Sequence, residues 1–117
     1  MDLRDLVVAL LARDALKARQ WTADATREAV TWAEVPRPVG WSATELAVAA
    51  GVVELLASRA KQPPPPWTRT VGAAPEPVYL VRAAETMPRL RRSCETEGPE
   101  PLRVRMLYAP PDFLTAA

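Results

Sequence analysis

The stretch SATELAVAAGVVELLASRAKQPPPP, residues 42–66, decides the fold. Ser42 and Glu45 have the spacing of a capping box, in which each side chain satisfies a backbone amide of the other residue at the start of a helix. The following run, 46–60, is apolar on almost all sides, which is typical of a helix buried at the centre of a domain. Four consecutive prolines, 63–66, then predict a stiff polyproline II segment of about 3 Å per residue.

The chain changes character near Gln62. Eleven of the thirteen prolines lie beyond it, whereas residues 1–35 contain neither proline nor glycine. Proline and glycine interrupt regular structure, so we expect a helical half, 1–62, and a proline-rich extended half, 63–117. The length suits a single domain over 1–117. The predicted class is mainly α (α+β), with two to three packed N-terminal helices, a proline-rich extended strap and a small C-terminal strand–helix–strand unit.

The N-terminal residues predict two helices. Apolar residues recur at helical spacing from Leu3 to Trp32, and Asp2 can cap the start by accepting hydrogen bonds from free amides. Thirty-odd helical residues without a break would be long for a small domain. We therefore expect a break within 17–22, and an end at Val35–Pro38 because proline cannot donate to the helix ladder.

The C-terminal half predicts two strands around one short helix. Residues 77–81 form a short apolar run, and 102–108 begins with alternating apolar and polar residues. Thr86 is suited to cap a helix over about 87–97, and Gly98 is suited to end it. Strand, helix and strand in this order permit a parallel βαβ unit. A hairpin-like pairing is equally open.

The composition argues against several classes of function. The chain has 117 residues, fifteen Lys and Arg against fourteen Asp and Glu, no histidine and one cysteine. Nucleic-acid binders usually carry a basic excess, and histidine is the commonest general base. A zinc site needs several Cys or His ligands, and the four scattered glycines form no phosphate loop. We expect no catalytic residue, no cofactor and no metal.

The expected location is the cytoplasm. The start of the chain lacks the order of a signal peptide, and its longest apolar run, Leu6–Ala12, is far shorter than the roughly 20 residues of a membrane span. The single Cys94 cannot form an intramolecular disulfide. Arg91 and Arg92 beside it could lower the thiol pKa, but the thiol has no general base of the usual kind.

Two rigid segments end in large apolar side chains. The prolines 63–66 precede Trp67, and a second Pro-Pro pair precedes Phe113 and Leu114. Preorganised segments bind with little ordering cost, and exposed aromatic residues are typical anchors in interfaces. Trp67, Phe113 and Leu114 are therefore candidate partner-binding residues. The alternative is that both segments cross the helical core and bury these side chains.

Five arginines of the C-terminal half form the second candidate surface. Arg89, Arg91 and Arg92 lie close together in the sequence, and Arg103 and Arg105 would face the same side of the last strand. Together they could grip carboxylates or phosphates bidentately. The alternative is that neighbouring glutamates neutralise them in surface ion pairs of small energetic value.

A helix-turn-helix around Gly51 is an alternative DNA-binding motif. Residues 45–52 resemble the first part of that motif, with 53–59 as the recognition helix. That helix would be strongly apolar, and its Glu54 would repel phosphate. One continuous helix is the favoured interpretation, in which Gly51→Ala would stabilise the fold by up to about 1 kcal/mol.

Two stretches carry a family resemblance. PPPPWTRTVG, residues 63–72, and MPRLRRSCETEGPEPLRVRMLYAPPDFL, residues 87–114, resemble uncharacterised small bacterial proteins encoded beside predicted nucleotidyltransferases. That gene arrangement is typical of toxin–antitoxin pairs. The resemblance implies a non-enzymatic, antitoxin-like neutralising partner of another protein. The alternatives are a nucleic-acid-binding regulator that uses the arginines, and a structural subunit that forms a homodimer through its apolar helix.

Overall fold

The computed structural model describes residues 2–115. Its fold is mainly helical with one small two-stranded sheet, as the sequence predicted. The helices and strands are α1 (Leu3–Leu11), α2 (Ala15–Arg27), α3 (Ala43–Arg59), β1 (Val78–Tyr79), α4 (Pro88–Glu97), α5 (Glu100–Arg103) and β2 (Leu107–Tyr108). Short 3₁₀ turns occupy Trp32–Glu34, Pro66–Thr70 and Arg82–Glu85.

Helix α3 is the centre of the structure. It begins at the predicted capping box: the Ser42 hydroxyl accepts a hydrogen bond from the Glu45 amide at 3.1 Å, and the Glu45 carboxylate accepts one from the Ser42 amide at 3.0 Å. The helix then continues through Gly51 without a turn, and residues 47–57 are buried except for Glu54. The continuous-helix interpretation is confirmed, and the helix-turn-helix around Gly51 is wrong.

Gly51 allows the C-terminal half to approach α3 closely. A Cβ at this position would lie 2.9 Å from Leu102 Cδ2 and 3.3 Å from Leu107 Cδ1. Leu102 and Leu107 are themselves buried, and packed interiors have little room to give way. Overpacking therefore opposes the gain in helix propensity, and the stabilisation expected for Gly51→Ala does not hold for this geometry.

Helices α1, α2 and α3 end in the same backbone motif. Arg13, Ala29 and Lys61 follow these helices with φ of 58°, 52° and 57°. In each case the next amide bonds back to a carbonyl five residues earlier, as in Gln62 N–H to Ala57 O at 2.9 Å. This is the Schellman motif, whose left-handed residue is usually glycine. Here all three positions carry a side chain.

The Schellman motif at Arg13 separates α1 from α2. The Asp14 amide donates to Ala9 O at 2.8 Å, and the Asp14 side chain accepts from the Lys17 amide at 3.1 Å to cap α2. The break predicted within 17–22 is wrong, because the chain turns at 12–14. Arg13 stands where a helix usually ends with glycine, so the helical spacing of apolar residues continues through the turn and does not mark it.

The two strands pair in parallel. Val78 lies opposite Leu107 and Tyr79 lies opposite Tyr108, and α4 separates the strands in the sequence. The strand–helix–strand order is confirmed with parallel pairing, and the hairpin alternative is wrong. The last strand is much shorter than the predicted 102–108, because Pro99 and the following residues begin α5 and only Leu107–Tyr108 are extended.

Helix α4 has nearly the predicted bounds. Met87 is its N-cap in place of Thr86, and Pro88 occupies the first turn, where its missing amide costs no hydrogen bond. Gly98 ends the helix in an extended conformation, with φ −61° and ψ 162°, rather than in a left-handed one. A Cβ at Gly98 would lie 2.5 Å from Ala109 O and 2.6 Å from Cys94 O, so the close passage of the chain requires glycine here.

The hydrophobic core draws on both halves of the chain. α1 and α3 supply Leu6, Val7, Val48 and Val52, and the C-terminal half supplies residues such as Leu102, Leu107 and Phe113. Within residues 2–115, no helix combines the length and the apolar character needed to cross a membrane.

The left-handed residue after α3 gives the first prediction. Lys61→Gly should stabilise the protein by about 0.5–1 kcal/mol, because a left-handed residue with a Cβ costs roughly 1–2 kcal/mol and glycine recovers part of this. The control is Ser58→Gly, an exposed position inside the same helix, which should lose about 0.5–1 kcal/mol. Urea unfolding measures both. A loss of stability in Lys61→Gly equal to that of the control would contradict the left-handed turn.

Candidate functional site

Arg105 lies inside the protein and holds its two halves together. Its guanidinium donates to both carboxylate oxygens of Glu54, at 2.7 and 3.1 Å. The same group donates to Pro101 O at 2.9 Å and to Thr68 O at 2.8 Å. Only 6% of Arg105 is exposed. The prediction that Arg105 belongs to a partner-binding surface is therefore wrong.

The hydrogen bonds from Arg105 favour the ionised form of the Glu54 carboxylate. Burial by itself raises the pKa of Glu54, but hydrogen bonds from Arg105 and the nearby positive charge outweigh burial and hold the pKa below its ordinary value. Glu54 is therefore ionised at neutral pH. A bidentate arginine–carboxylate pair is among the strongest polar contacts in proteins, so the one charged residue of the buried part of α3 has a structural role.

The other four predicted arginines are exposed. Arg103 belongs to α5 and not to a strand, so the predicted alternation with Arg105 does not exist. Arg89, Arg92 and Arg103 form no ion pair or side-chain hydrogen bond with the rest of residues 2–115. Arg91 lies over the Tyr79 ring, 4.6 Å from its centroid, and 3.5 Å from the Glu95 carboxylate.

The predicted anchor residues pack against the core of the chain itself. The Trp67 indole is half-buried and donates a hydrogen bond to Val35 O at 2.8 Å. Phe113 is only 9% exposed and Leu114 only 8%. The alternative interpretation, in which both proline-rich segments cross the helical core, therefore holds. The hypothesis that Trp67, Phe113 and Leu114 are exposed anchors is wrong.

Residues 110–115, which we name the C-terminal segment, are fastened to the end of α3. The Arg59 guanidinium donates to Phe113 O, and at 3.4 Å to Pro111 O. Burial lowers the pKa of Arg59, and the nearby Asp112 opposes this effect. Arginine stays charged in either case. The segment therefore offers two backbone carbonyl oxygens to the guanidinium of Arg59.

A concave, mainly apolar surface lies between α2, the end of α3 and the C-terminal segment, and we name it the α2–α3 groove. Its volume is about 780 Å³, within the range of sites that enclose drug-sized ligands. Its apolar lining includes Ala23, Ala25, Ala29, Trp32, Leu56 and Leu114. The small residues of α2 leave a hollow beside the larger residues of α3.

The polar groups of the groove are mostly satisfied within the protein. Thr22 and Thr26 donate their hydroxyls to helix carbonyls four residues earlier, at 2.9 and 3.0 Å. The Gln62 side-chain amide accepts from Trp32 N–H at 2.9 Å and donates to Val30 O at 3.1 Å. Arg19 is the exception: it lines the groove, is exposed, and has no ion pair among the described residues.

The sequence interpretation missed this groove. Ala25, Ala29 and Trp32 were assigned to the apolar face of a predicted helix, but Ala29 and Trp32 lie beyond the end of α2. The groove forms where α2, the end of α3 and the C-terminal segment meet, so no local pattern marks it. Leu114 is the only predicted site residue that lines it, and it does so as part of a buried wall.

The cysteine is the buried residue of α4. Cys94 is fully buried, and burial raises the pKa of its thiol. This is the opposite of the lowering that Arg91 and Arg92 suggested in the sequence, because both arginines are exposed while the sulfur lies inside.

Comparison of the chain with protein-family models, curated proteins and solved structures gives no match. In the part of the chain that the structure describes, no group of three or more His, Cys, Asp or Glu residues is placed to hold a metal ion. The candidate site is an apolar groove with two arginines in its lining.

The second prediction concerns the buried ion pair. Arg105→Met should cost about 3 kcal/mol, because it leaves the Glu54 carboxylate and the carbonyls of Thr68 and Pro101 without their donor. Chemical unfolding followed by circular dichroism measures the change. The control is Arg103→Met, two residues away and exposed, which should change stability by less than about 0.5 kcal/mol. Equal effects of the two variants would contradict a structural role of Arg105.

The third prediction is the pH dependence of the same pair. Since the folded-state pKa of Glu54 is lowered, its stabilisation is present above the unfolded pKa of roughly 4.3 and is lost as the pH falls through the folded-state value. The difference in unfolding free energy between the native protein and Glu54→Gln should therefore shrink as the pH falls from 7 to about 3. A difference that grows in acid would contradict this sign.

Proposed function

We propose that this protein is a non-enzymatic protein-binding module that holds part of a partner in the α2–α3 groove. The observation that carries the proposal is a concave, mainly apolar groove of about 780 Å³, whose polar groups apart from Arg19 are mostly satisfied within the protein. A partner that covers this lining removes apolar surface from water at roughly 25 cal/mol per Å², without desolvating unpaired polar atoms.

The position of the groove fits a known mode of peptide recognition. It lies between α2 and the end of α3, and grooves between helices commonly bind an amphipathic segment through its apolar face. The lining residues Trp32 and Leu56 are only 5% and 6% exposed, so they form a firm floor. An extended or helical segment could place its apolar side chains against that floor.

The narrower proposal is an antitoxin-like partner that neutralises a second protein in the cytoplasm. The support is the resemblance of residues 63–72 and 87–114 to small proteins encoded beside predicted nucleotidyltransferases. The second stretch includes Leu114, which forms part of the groove wall. The single buried Cys94 is compatible with a reducing compartment.

A nucleic-acid-binding regulator is the second candidate. The observation in its favour is the exposure of Arg89, Arg92 and Arg103 without ion pairs in the described chain. Against it, α4 and α5 also carry Glu95, Glu97 and Glu100. The homodimer through the apolar helix is less favoured, because the apolar residues of α3 are already covered by the chain itself.

The fourth prediction tests the groove. Ala23 is exposed on α2 and lines it, so Ala23→Trp should fill the groove at little cost to folding. Tagged protein is captured from nuclease-treated host lysate, and the bound proteins are quantified by mass spectrometry. We expect Ala23→Trp to reduce recovery of the main partner at least tenfold, corresponding to roughly 1.4 kcal/mol.

The matched control is Gln20→Trp, an exposed residue of the same helix that lines a separate cleft between α1 and α2. It should keep the partner. Equal recovery with both variants would contradict binding in the groove. Recovery of nucleic acid alone from untreated lysate, lost in Arg89→Glu/Arg92→Glu, would favour the second candidate.

A further inference from the structure

The charges of the α2–α3 groove are one-sided. Among residues 2–115, Arg19 and Arg59 line it, and no aspartate or glutamate does. The whole chain carries fifteen basic and fourteen acidic residues, so this imbalance does not reflect the composition. The Arg19 side chain is exposed and makes no hydrogen bond or ion pair with the rest of residues 2–115. Its five donors are therefore not already paired with a carboxylate of the described chain.

The C-terminal segment shows what chemistry the neighbouring surface accepts. Its side chains Phe113 and Leu114 are buried against the helices. Arg59 holds its backbone through Phe113 O and Pro111 O. An apolar pair on a backbone whose carbonyls bond to an arginine is thus the chemistry already bound at one wall of the groove.

A second hollow continues this surface on the other side of the C-terminal segment. It has a volume of about 340 Å³, and it shares Arg19, Leu114 and Thr115 with the α2–α3 groove. Its lining also includes Asp14 and Asp112, so of these two hollows only the α2–α3 groove lacks an acidic side chain among the described residues. The segment therefore lies between two hollows that both reach Arg19. The larger hollow, the α2–α3 groove, begins beside the segment and continues over Trp32 and Leu56.

We infer that the α2–α3 groove binds a peptide segment of the partner protein in which a carboxylate adjoins large apolar side chains. The inference rests on the proposed protein-binding function and specifies its ligand. The apolar side chains pack on Trp32 and Leu56, and the carboxylate pairs with Arg19. Apolar burial supplies most of the affinity, and the exposed ion pair selects acidic segments over neutral ones.

Arg19 and Arg59 do not favour nucleic acid here. A protein gains affinity for nucleic acid from many cations placed along the phosphate backbone. The α2–α3 groove has only two arginines in its described lining, and its floor is apolar. A partner segment with both apolar and acidic side chains uses the floor and the charge together. A free fatty acid shares that chemistry, so it is included in the test as a separate probe.

The fifth prediction uses synthetic probes with the full chain. One fluorescein-labelled peptide carries leucines at helical spacing on one face and glutamates beside them, and a matched peptide carries glutamines in their place. Fluorescence anisotropy measures both. We expect the glutamate peptide to bind about two to five times more tightly, as an exposed ion pair provides. The preference should shrink in high salt.

The decisive variant is Arg19→Glu, which should remove or reverse the preference for the glutamate peptide. Arg19 has no ion pair in the described chain, so the variant should keep its thermal midpoint. The control is Arg89→Glu, which has the same net charge change on the exposed face of α4 and should keep the preference.

Each other outcome overturns a defined part of the account. Equal binding of both peptides, lost in Ala23→Trp, would overturn the carboxylate specificity and leave the proposed function standing. Binding of sodium dodecanoate but of neither peptide would overturn the peptide ligand. Failure of both peptides, together with a lysate partner that survives Ala23→Trp, would overturn the inference and the proposed function together.

Discussion

The bidentate ion pair between Arg105 and Glu54 is the contact on which the arrangement of the two halves depends. Glu54 is the charged residue of the buried part of α3, and Arg105 also binds the carbonyls of Thr68 and Pro101. An unpaired charge here would be costly, so the C-terminal half docks in the register that satisfies it. That register sets the path of β2 and of the C-terminal segment, which forms one wall of the groove.

Capping residues, proline and glycine in the sequence correctly predicted helix ends that depend on neighbouring residues alone. The capping box of Ser42 fixed the start of α3, and Pro88 and Gly98 bracketed α4 correctly. The break after α1 escaped because Arg13 takes the left-handed conformation that the pattern reserves for glycine. The predicted last strand was too long because Glu100–Arg103 form α5. The inward position of Arg105 also escaped, because its contact with Glu54 is not encoded by any alternation along the chain.

The candidate site was much less accessible to sequence reasoning than the fold. Trp67 and Phe113 looked like anchors because proline-rich segments precede them, yet both side chains pack within the chain. The groove depends on α2, α3 and the C-terminal segment, which are far apart in sequence. Arg19 shows no distinguishing pattern in the sequence. Its importance follows from the lining of the α2–α3 groove, in which the described residues include no acidic side chain.

The central claim is that partners bind in the α2–α3 groove rather than on the arginines of α4. The most direct test is a two-dimensional NMR titration of labelled protein with the glutamate peptide. The account predicts shifts of the Trp32 indole and of the Leu56 and Leu114 methyl groups, with little change at Arg89 and Arg92. Shifts confined to α4, with the signals of the groove unmoved, would contradict it.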